Sequence, residues 1–295
     1  MLKTFARIAL AAALTTGLAG TLQAQEEKKP VKIGWTAWAD AEFVTKLARK
    51  LIEDNYSQTV ELVQTDIAPQ YQGVAKGDID AMMMAWLPET HKDYWERVGN
   101  KVVPLGVLYT DAKLGWVVPS YIPEDQVSSI ADLAKPEVKE KLDAKVQGID
   151  PGAGLTRLSK EAIKTYDLSG YDLTTASDAA MVSALDRAIR RKEWIVVTGW
   201  SPHWMFGKYD LRYLDDPKNA LGGVERVYAV ARQGFQSDYP EVAQFLMRMH
   251  LPLNELEAAM SNANETSVDK AVENYISEHP ARVKYWLTGE MSAAS

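Results

Sequence analysis

The chain of 295 residues contains no cysteine and, after its first segment, only short apolar runs. Without cysteine there is no disulfide framework, no thiolate metal site and no lipid anchor on an N-terminal cysteine. No later run approaches the roughly 20 apolar residues that a membrane-spanning helix needs. Positive charge is also in deficit, with 33 basic and 40 acidic side chains and a formal net charge of −7. This balance argues against nucleic acid and anionic membrane surfaces as partners.

The N-terminal segment has the pattern of a secretory signal peptide, with Lys3 and Arg7 before an apolar stretch that runs from Ile8 to about Gly20. That stretch is too short to span a bilayer comfortably. We therefore expect residues 1–24 to be a cleaved signal peptide. The mature protein would be exported to the periplasm without a lipid anchor.

Apolar runs and helical periodicity alternate along the chain in the order strand, helix, strand, which is typical of α/β units. One such unit is predicted from Val31 to Trp86 and a second from Val146 to Trp200, whose last strand is predicted over Trp194–Thr198. From Tyr239 to about Trp286 the pattern is helical. The sequence therefore predicts two α/β units followed by a helical C-terminal region.

Two strand-like runs, Leu114–Pro119 and Val227–Ala231, lie on either side of the second unit. Such an arrangement indicates that a middle block is inserted into another domain and is joined to it by two strands. We predict a lobe I formed by residues 25–112 and 228–295, and an inserted lobe II formed by residues 113–227.

Tryptophan is in excess, with nine residues against five phenylalanines. Trp38, Trp86 and Trp200 each follow a predicted strand and precede polar or turn-forming residues. Ligands of α/β domains bind at the carboxyl ends of strands, so these three rings either converge on one pocket or pack in the core. The other tryptophans are interpreted as packing residues, except Trp116, to which the pattern assigns no role.

Two further features suggest what such a pocket would bind. The turn that contains Gly154 and Leu155 opens a predicted helix, whose free N–H groups would bind a carboxylate, although an ordinary glycine turn explains the same residues. His91, five residues after Trp86, could donate a hydrogen bond to that carboxylate, and His203 competes for the role. A surface or capping position is the alternative for a lone histidine.

Signals for catalysis and for cofactors are weak. The segment from Gly199 to His203 lacks the second flanking glycine of a nucleophile elbow, and Arg157 stands where a dinucleotide fingerprint needs its third glycine. The four histidines show no metal-ligand spacing. We therefore expect a protein that has no enzymatic activity and binds neither a cofactor nor a metal. An exported carbohydrate-active enzyme with tryptophan sugar platforms is the alternative from another class, and it would need a pair of acids at the pocket.

Taken together, these residues resemble the substrate-binding proteins of ABC transporters for glycine betaine, proline betaine, choline and related quaternary amines. The resemblance extends from about Val31 to Trp286. Its most specific stretches are Ala37–Trp38, Ala85–His91, Gly148–Gly154, Thr198–Phe206 and Tyr213–Pro217. It implies a type II periplasmic binding protein fold, with two α/β lobes of mixed or parallel sheet flanked by helices and joined by two crossing strands. It also implies a monomer that delivers its ligand to a permease driven by a cytoplasmic ATPase.

The same resemblance implies a role for each candidate residue. The tryptophans would form a cage for a quaternary ammonium group, which has no hydrogen to donate and is bound by aromatic faces. A histidine side chain and two backbone amides would bind the carboxylate at the other end of the ligand. The implied ligand-binding residues are Trp38, Trp86, Trp200, His91, Gly154 and Leu155.

Asp40 complicates the choice of ligand because it lies two positions after Trp38, at the predicted start of a helix. We interpret it mainly as the N-cap of that helix. The resemblance offers another interpretation, since Asp40 matches an acid of choline-binding relatives that holds a hydroxyl group. Because the carboxylate-binding set is present, we predict a betaine, with a choline- or carnitine-preferring protein as the alternative. A binding protein that presents its ligand only to a chemoreceptor, and not to a transporter, is a further alternative, because it would have the same sequence pattern.

Overall fold

The structure is a computed structural model that describes residues 29–291, so the predicted signal peptide, residues 1–24, lies outside the described residues. None of the helices in this part of the chain is both long and apolar enough to cross a membrane. Within residues 29–291, nine strands form one mixed sheet, and helices pack on it. The order of strands and helices follows the predicted α/β alternation.

The strands are short except for the fourth. In chain order they are β1 (Val31–Trp35), β2 (Val60–Gln64), β3 (Ala81–Leu87), β4 (Val102–Pro119), β5 (Lys145–Gln147), β6 (Asp172–Thr174), β7 (Val197–Ser201), β8 (Leu211–Tyr213) and β9 (Val224–Arg232).

The α-helices of the described region alternate with the strands at first and then follow one another at the C-terminal end. They are α1 (Ala39–Asn55), α2 (Ile67–Lys76), α3 (Lys92–Val98), α4 (Pro136–Lys141), α5 (Gly154–Thr165), α6 (Asp178–Arg191), α7 (Met205–Lys208), α8 (Phe235–Asp238), α9 (Pro240–Arg248), α10 (Leu253–Glu265), α11 (Val268–Glu278) and α12 (Pro280–Thr288).

The sheet has the strand order β2-β1-β3-β9-β4-β7-β5-β6, with β8 paired to β4. The strand β4 is 18 residues long and changes partners along its length. It pairs with β9 from Val102 to Lys113 and with β7 from Lys113 to Val117. Below, lobe I and lobe II denote the residue sets predicted from the sequence, 25–112 with 228–295 and 113–227. The division into these two lobes stays a prediction. The predicted return to lobe I at residues 227/228 falls inside β9, which is continuous there.

The core explains why the central strands are so apolar. Six of the seven residues of β3 are buried, as expected for a strand that helices cover on both faces. The predicted apolar face of α1, which includes Phe43, Leu47 and Leu51, is buried as well. Packing of this face against the sheet holds the N-terminal end of α1 near the ends of β3 and β7.

The positions of the tryptophans differ from the prediction in detail. Trp86 and Trp200 are the last residues but one of β3 and β7, so they belong to the strands and do not follow them. The strand β7 begins at Val197, later than the predicted start at Trp194. Trp116, which had no assigned role, is fully buried and donates its indole hydrogen to Ser159 Oγ at 2.9 Å. It is therefore a packing residue of the core.

Candidate functional site

A cavity of about 290 Å³ lies where the ends of β3 and β7 meet the starts of α1 and α5. The cavity is small, which suits a small ligand. The cavity brings together residues from both predicted lobes. The lining residues are Trp38, Asp40, Trp86, Thr90, His91, Leu114, Ile149, Ala153, Gly154, Leu155 and Trp200.

Three tryptophans form the aromatic part of this lining, and all three are buried. Trp38 donates its indole N–H to Asp150 Oδ2 at 2.8 Å, and Trp200 donates its own to Asp40 Oδ1 at 3.0 Å. Each bond runs from one predicted lobe to a carboxylate of the other. Because these N–H groups are already used, the interaction that the two rings can offer a ligand is their π face.

His91 is fully buried beside Trp86. Its Nδ1 accepts a hydrogen bond from the backbone N–H of Trp86 at 3.1 Å, and the hydroxyl of Tyr71 lies 3.3 Å from the same atom. Burial, with the positive charge of Arg157, lowers the pKa of His91 to about 3. The neutral ring therefore carries its hydrogen on Nε2.

That Nε2–H of His91 is buried and has no hydrogen-bond partner anywhere in residues 29–291. A buried donor left unpaired costs on the order of 1–3 kcal/mol. Since His91 lines the cavity, an acceptor on a ligand would remove this cost. A carboxylate is the strongest acceptor for such a donor.

The N-terminus of α5 supplies further donors to the same cavity. Gly154 and Leu155 are the first two residues of α5, and the amides of the first turn have no intrahelical partner. Gly154 also lies directly against Thr90 of the other predicted lobe, because a Cβ added at Gly154 would be 2.0 Å from the carbonyl oxygen of Thr90. Close approach of the two backbones, and not an unusual φ, therefore requires glycine here.

Asp40 lies at the cavity, and its predicted role as an N-cap is wrong. The N-cap of α1 is Trp38, and Asp40 belongs to the first turn of the helix. Its Oδ2 accepts a hydrogen bond from Tyr109 at 2.6 Å, while its Oδ1 accepts the bond from Trp200. Burial raises the pKa of Asp40, and these two hydrogen bonds oppose the rise.

His203, the second candidate for binding a carboxylate, does not line the cavity. It lies behind Trp200, with the two ring centroids 4.6 Å apart in an edge-to-face arrangement. Its Nδ1 accepts from the backbone N–H of Met205 at 3.0 Å, and its Nε2 donates to Asp178 Oδ1 at 3.1 Å. Both ring nitrogens are thus already bonded within the protein.

Two residues that support the site, Thr90 and Glu225, have no role predicted from the sequence. Glu225, on β9, accepts hydrogen bonds on Oε1 from the backbone N–H of Thr90 at 2.9 Å and from its hydroxyl at 2.7 Å. Burial raises the pKa of Glu225. Thr90 and Glu225 are 135 residues apart, and no motif connects them. Together they anchor the loop that carries His91.

Hydrogen bonds at the mouth of the cavity also join the two predicted lobes. Tyr94 donates to the carbonyl oxygen of Gly152 at 2.6 Å, and Arg157 Nη2 donates to the carbonyl oxygen of Glu89 at 2.8 Å. Arg157 also lies 3.4 Å from the carboxylate of Asp93. The described structure is therefore a closed arrangement around the cavity.

Comparison with known proteins identifies the family of the chain. Residues 29–278 match the OpuAC family, described as the substrate-binding domain of the ABC-type glycine betaine transport system. The chain belongs to this family. OpuAC proteins are transport substrate-binding proteins and not a family of enzymes.

Relatives and solved structures agree with this assignment. The glycine betaine/carnitine transport binding protein GbuC of Listeria monocytogenes is 38% identical over 159 residues, a match that spans 53% of this chain and 53% of GbuC. A lactococcal OpuAC crystal structure, closed and complexed with glycine betaine, is 35% identical and has a TM-score of 0.82, covering 88% of this chain and 100% of that one. ProX of Borrelia burgdorferi is 32% identical with a TM-score of 0.81, covering 88% and 97%.

These likenesses confirm the predicted fold class, a type II periplasmic binding protein with mixed sheet and flanking helices. They also confirm the resemblance that the motifs carry. For the individual ligand-binding roles of Trp38, Trp86, Trp200, His91, Gly154 and Leu155, the geometry above is the available support, and the roles stay predictions.

Proposed function

We propose that this protein captures a small zwitterion with a quaternary ammonium group at one end and a carboxylate at the other, most simply glycine betaine. It then delivers this ligand to an ABC permease driven by a cytoplasmic ATPase. In this proposal the protein acts as an exported monomer of the periplasm, without a catalytic step and without a cofactor. Its lactococcal relative was crystallised with glycine betaine, and the Listeria relative is named for glycine betaine and carnitine.

The observation that carries the proposal is the unpartnered Nε2–H of His91, which lines the same cavity as three tryptophan rings. A carboxylate of the ligand would accept this hydrogen together with the first-turn amides of Gly154 and Leu155. The helix dipole of α5 favours the same negative charge. The anionic end of the ligand therefore has a binding site of neutral donors, which attract it without an opposing charged side chain.

The aromatic lining suits the cationic end. A desolvated cation over a tryptophan ring gains on the order of 2 kcal/mol, so three faces and burial of the methyl groups approach the roughly 8 kcal/mol of a micromolar complex. Asp40 adds a second attraction, because its carboxylate is held at the cavity by the neutral donors Tyr109 and Trp200. Those donors do not cancel its charge, and a bound cation would.

The alternative of a carbohydrate-active enzyme has less support. A glycosidase needs two carboxyl groups on either side of the scissile bond. Asp40 is the sole acidic side chain that lines the cavity within the described residues, and both of its oxygens are bonded to neighbouring side chains. This lining supports the proposal of a binding site over that of a site for acid and base catalysis.

A melting-temperature panel tests the ligand directly. Glycine betaine should stabilise the protein by about 2.7 kcal/mol at a hundred times its Kd. The isostere 3,3-dimethylbutanoate has the same shape and the same carboxylate without the positive charge, and choline retains the cation with a hydroxyl in place of the carboxylate. We expect both to shift the melting temperature much less. Equal shifts with glycine betaine and with 3,3-dimethylbutanoate, which lacks the ammonium charge, would refute binding by cation–π contacts.

Calorimetry of single variants tests the cage. Trp38→Ala, Trp86→Ala and Trp200→Ala should each weaken glycine betaine binding at least tenfold, at about 1.4 kcal/mol per decade. The matched control is Trp194→Ala, since Trp194 is half-buried outside the cavity with Lys141 4.3 Å above its ring. If all three cavity variants bind as tightly as the control, the cage proposal is wrong.

A further inference from the structure

The helix α1 begins at Ala39 without a side-chain cap from its own part of the chain. Its N-cap residue, Trp38, makes no side-chain capping hydrogen bond. The backbone N–H of Ala39 is bound instead by Asp178, whose Oδ2 accepts it at 3.2 Å. Asp178 lies 139 residues further along, as the first residue of α6 in predicted lobe II. The helix that presents Trp38 is therefore capped from the opposite side of the cavity.

His203 fixes this cap in place. Its Nδ1 accepts a hydrogen bond from the backbone of Met205, so its Nε2 is the donor to Asp178. Asp178 is 6% exposed and His203 is 1% exposed, which protects both hydrogen bonds from water. His203 also contacts the ring of Trp200 edge to face. His203 therefore contacts Trp200, and Asp178 supports Trp38 through the start of α1. Neither Asp178 nor His203 lines the cavity.

We propose that Asp178 and His203 are positioning residues that stabilise the closed state, with Asp178 capping α1 only while the lobes are together. The inference rests on the proposed function, because it takes the cavity as the ligand site and closure as the response to ligand. A cap that forms only on closure stabilises the closed state relative to the open state, whether or not ligand is bound. Its loss therefore accelerates opening and release of the ligand, and it leaves the encounter with the open protein unchanged.

The variant Asp178→Ala tests this by stopped-flow measurement of glycine betaine association and dissociation. Loss of a helix cap corresponds to roughly a tenfold change, which we expect in the dissociation rate with the association rate unchanged. The matched control is Ser177→Ala, because Ser177 caps α6 itself by accepting from the backbone N–H of Ala180 at 3.3 Å. That change should lower the melting temperature of the ligand-free protein and leave the dissociation rate as it is.

The conservative variant Asp178→Asn provides a second test with little change in shape. An asparagine has one acceptor oxygen where aspartate has two, and it carries no charge, so Ala39 and His203 would have to share that oxygen and both hydrogen bonds would be weaker. Its dissociation rate should fall between those of the wild type and Asp178→Ala. Dissociation rates of both Asp178 variants within twofold of the wild type would overturn the inference. So would an association rate that changes in Asp178→Ala as much as the dissociation rate does, because the role would then be structural.

A measurement without ligand separates this inference from the proposed function. The chain has no cysteine, so Glu61→Cys and Asp172→Cys introduce two spin labels at exposed positions of β2 and β6, the two ends of the sheet. Asp178→Ala should shift the distance distribution between the labels to longer values. If the wild type binds no quaternary amine, the proposed function fails, but the distances between the labels still test the role of Asp178. A distance distribution that is the same in Asp178→Ala and in the protein with Asp178 would refute that role.

Discussion

The contact between Gly154 and Thr90 gives the sharpest prediction, which concerns the variant Gly154→Ala. The added methyl carbon would lie 2.0 Å from the carbonyl oxygen of Thr90, whereas Cβ contacts below 3.0 Å are essentially absent from proteins. The two backbones must therefore move apart by about 1 Å, and overpacking of this kind costs on the order of 1–3 kcal/mol. That movement also separates the amides of α5 from His91 on the opposite side of the cavity.

The expected result is a loss of glycine betaine affinity of roughly tenfold to a hundredfold, at about 1.4 kcal/mol per decade. The stability of the ligand-free protein should change in the opposite direction. Alanine restricts the unfolded chain more than glycine does, and at a position with an ordinary φ this stabilises a protein by about 0.4–1 kcal/mol. Calorimetry with ligand and urea unfolding without it measure the two effects separately.

Gly152→Ala is the matched control, because Gly152 lies in the same turn and a Cβ added there meets nothing within 4 Å. Its carbonyl oxygen, which accepts from Tyr94, is unaffected by the change. This variant should bind glycine betaine like the wild type. If Gly154→Ala binds as tightly as Gly152→Ala, the two lobes do not approach each other this closely around the ligand, and the reasoning is refuted.

Three further predictions concern single side chains. Burial lowers the pKa of His91 to about 3, below its ordinary value of 6.5, so the stability it contributes is present above pH 6.5 and is lost as the pH falls towards 3. Between pH 6.5 and 5 the free energy of unfolding, measured with urea, should therefore fall by about 2 kcal/mol more in the wild type than in His91→Gln. An equal dependence of this free energy on pH in the two proteins would contradict the burial of the His91 ring. Asp40→Asn should weaken glycine betaine binding about tenfold by calorimetry, because it removes a negative charge at the cavity, whereas the exposed Asp54→Asn on the same helix should not. Trp116→Phe should lower the free energy of unfolding, measured with urea, by about 1–3 kcal/mol, because it leaves a void and an unpaired Ser159 hydroxyl. A change in ligand affinity would show that Trp116 is more than a packing residue.

The sequence predicts the elements of this fold well where an apolar period and a clear end coincide. The buried face of α1 and the strand that carries Trp86 follow from such patterns. The pattern fails for the strands β6 and β8, which have three residues each and are too short to show a period. It also places the start of β7 at Trp194 when the strand begins at Val197, because an apolar run does not reveal which of its residues pair with a neighbour.

For the site, sequence reasoning finds residues that form a local motif and misses those defined by a distant partner. Gly154 and His91 lie in recognisable short segments. The role of Asp40 depends on Tyr109 and Trp200, which are 69 and 160 residues away, so its position near a helix start wrongly suggested a cap. The misplacement of His203 has the same origin, because its distance from the cavity follows from tertiary packing behind Trp200.

Under the proposed function, those distant partners couple ligand binding to closure. Trp38 donates its indole hydrogen to Asp150, and Trp200 donates to Asp40, so each ring is oriented by a carboxylate of the opposite predicted lobe. If the lobes separate, both rings lose the bond that fixes their faces towards the cavity. The proposed cage would therefore be complete only in the closed state, and the apparent affinity for a cation would be the intrinsic affinity reduced by the fraction of protein that is closed. Substitutions of Asp150 that leave the cavity lining intact should consequently weaken binding through this fraction, which the distance between labels on β2 and β6 would measure.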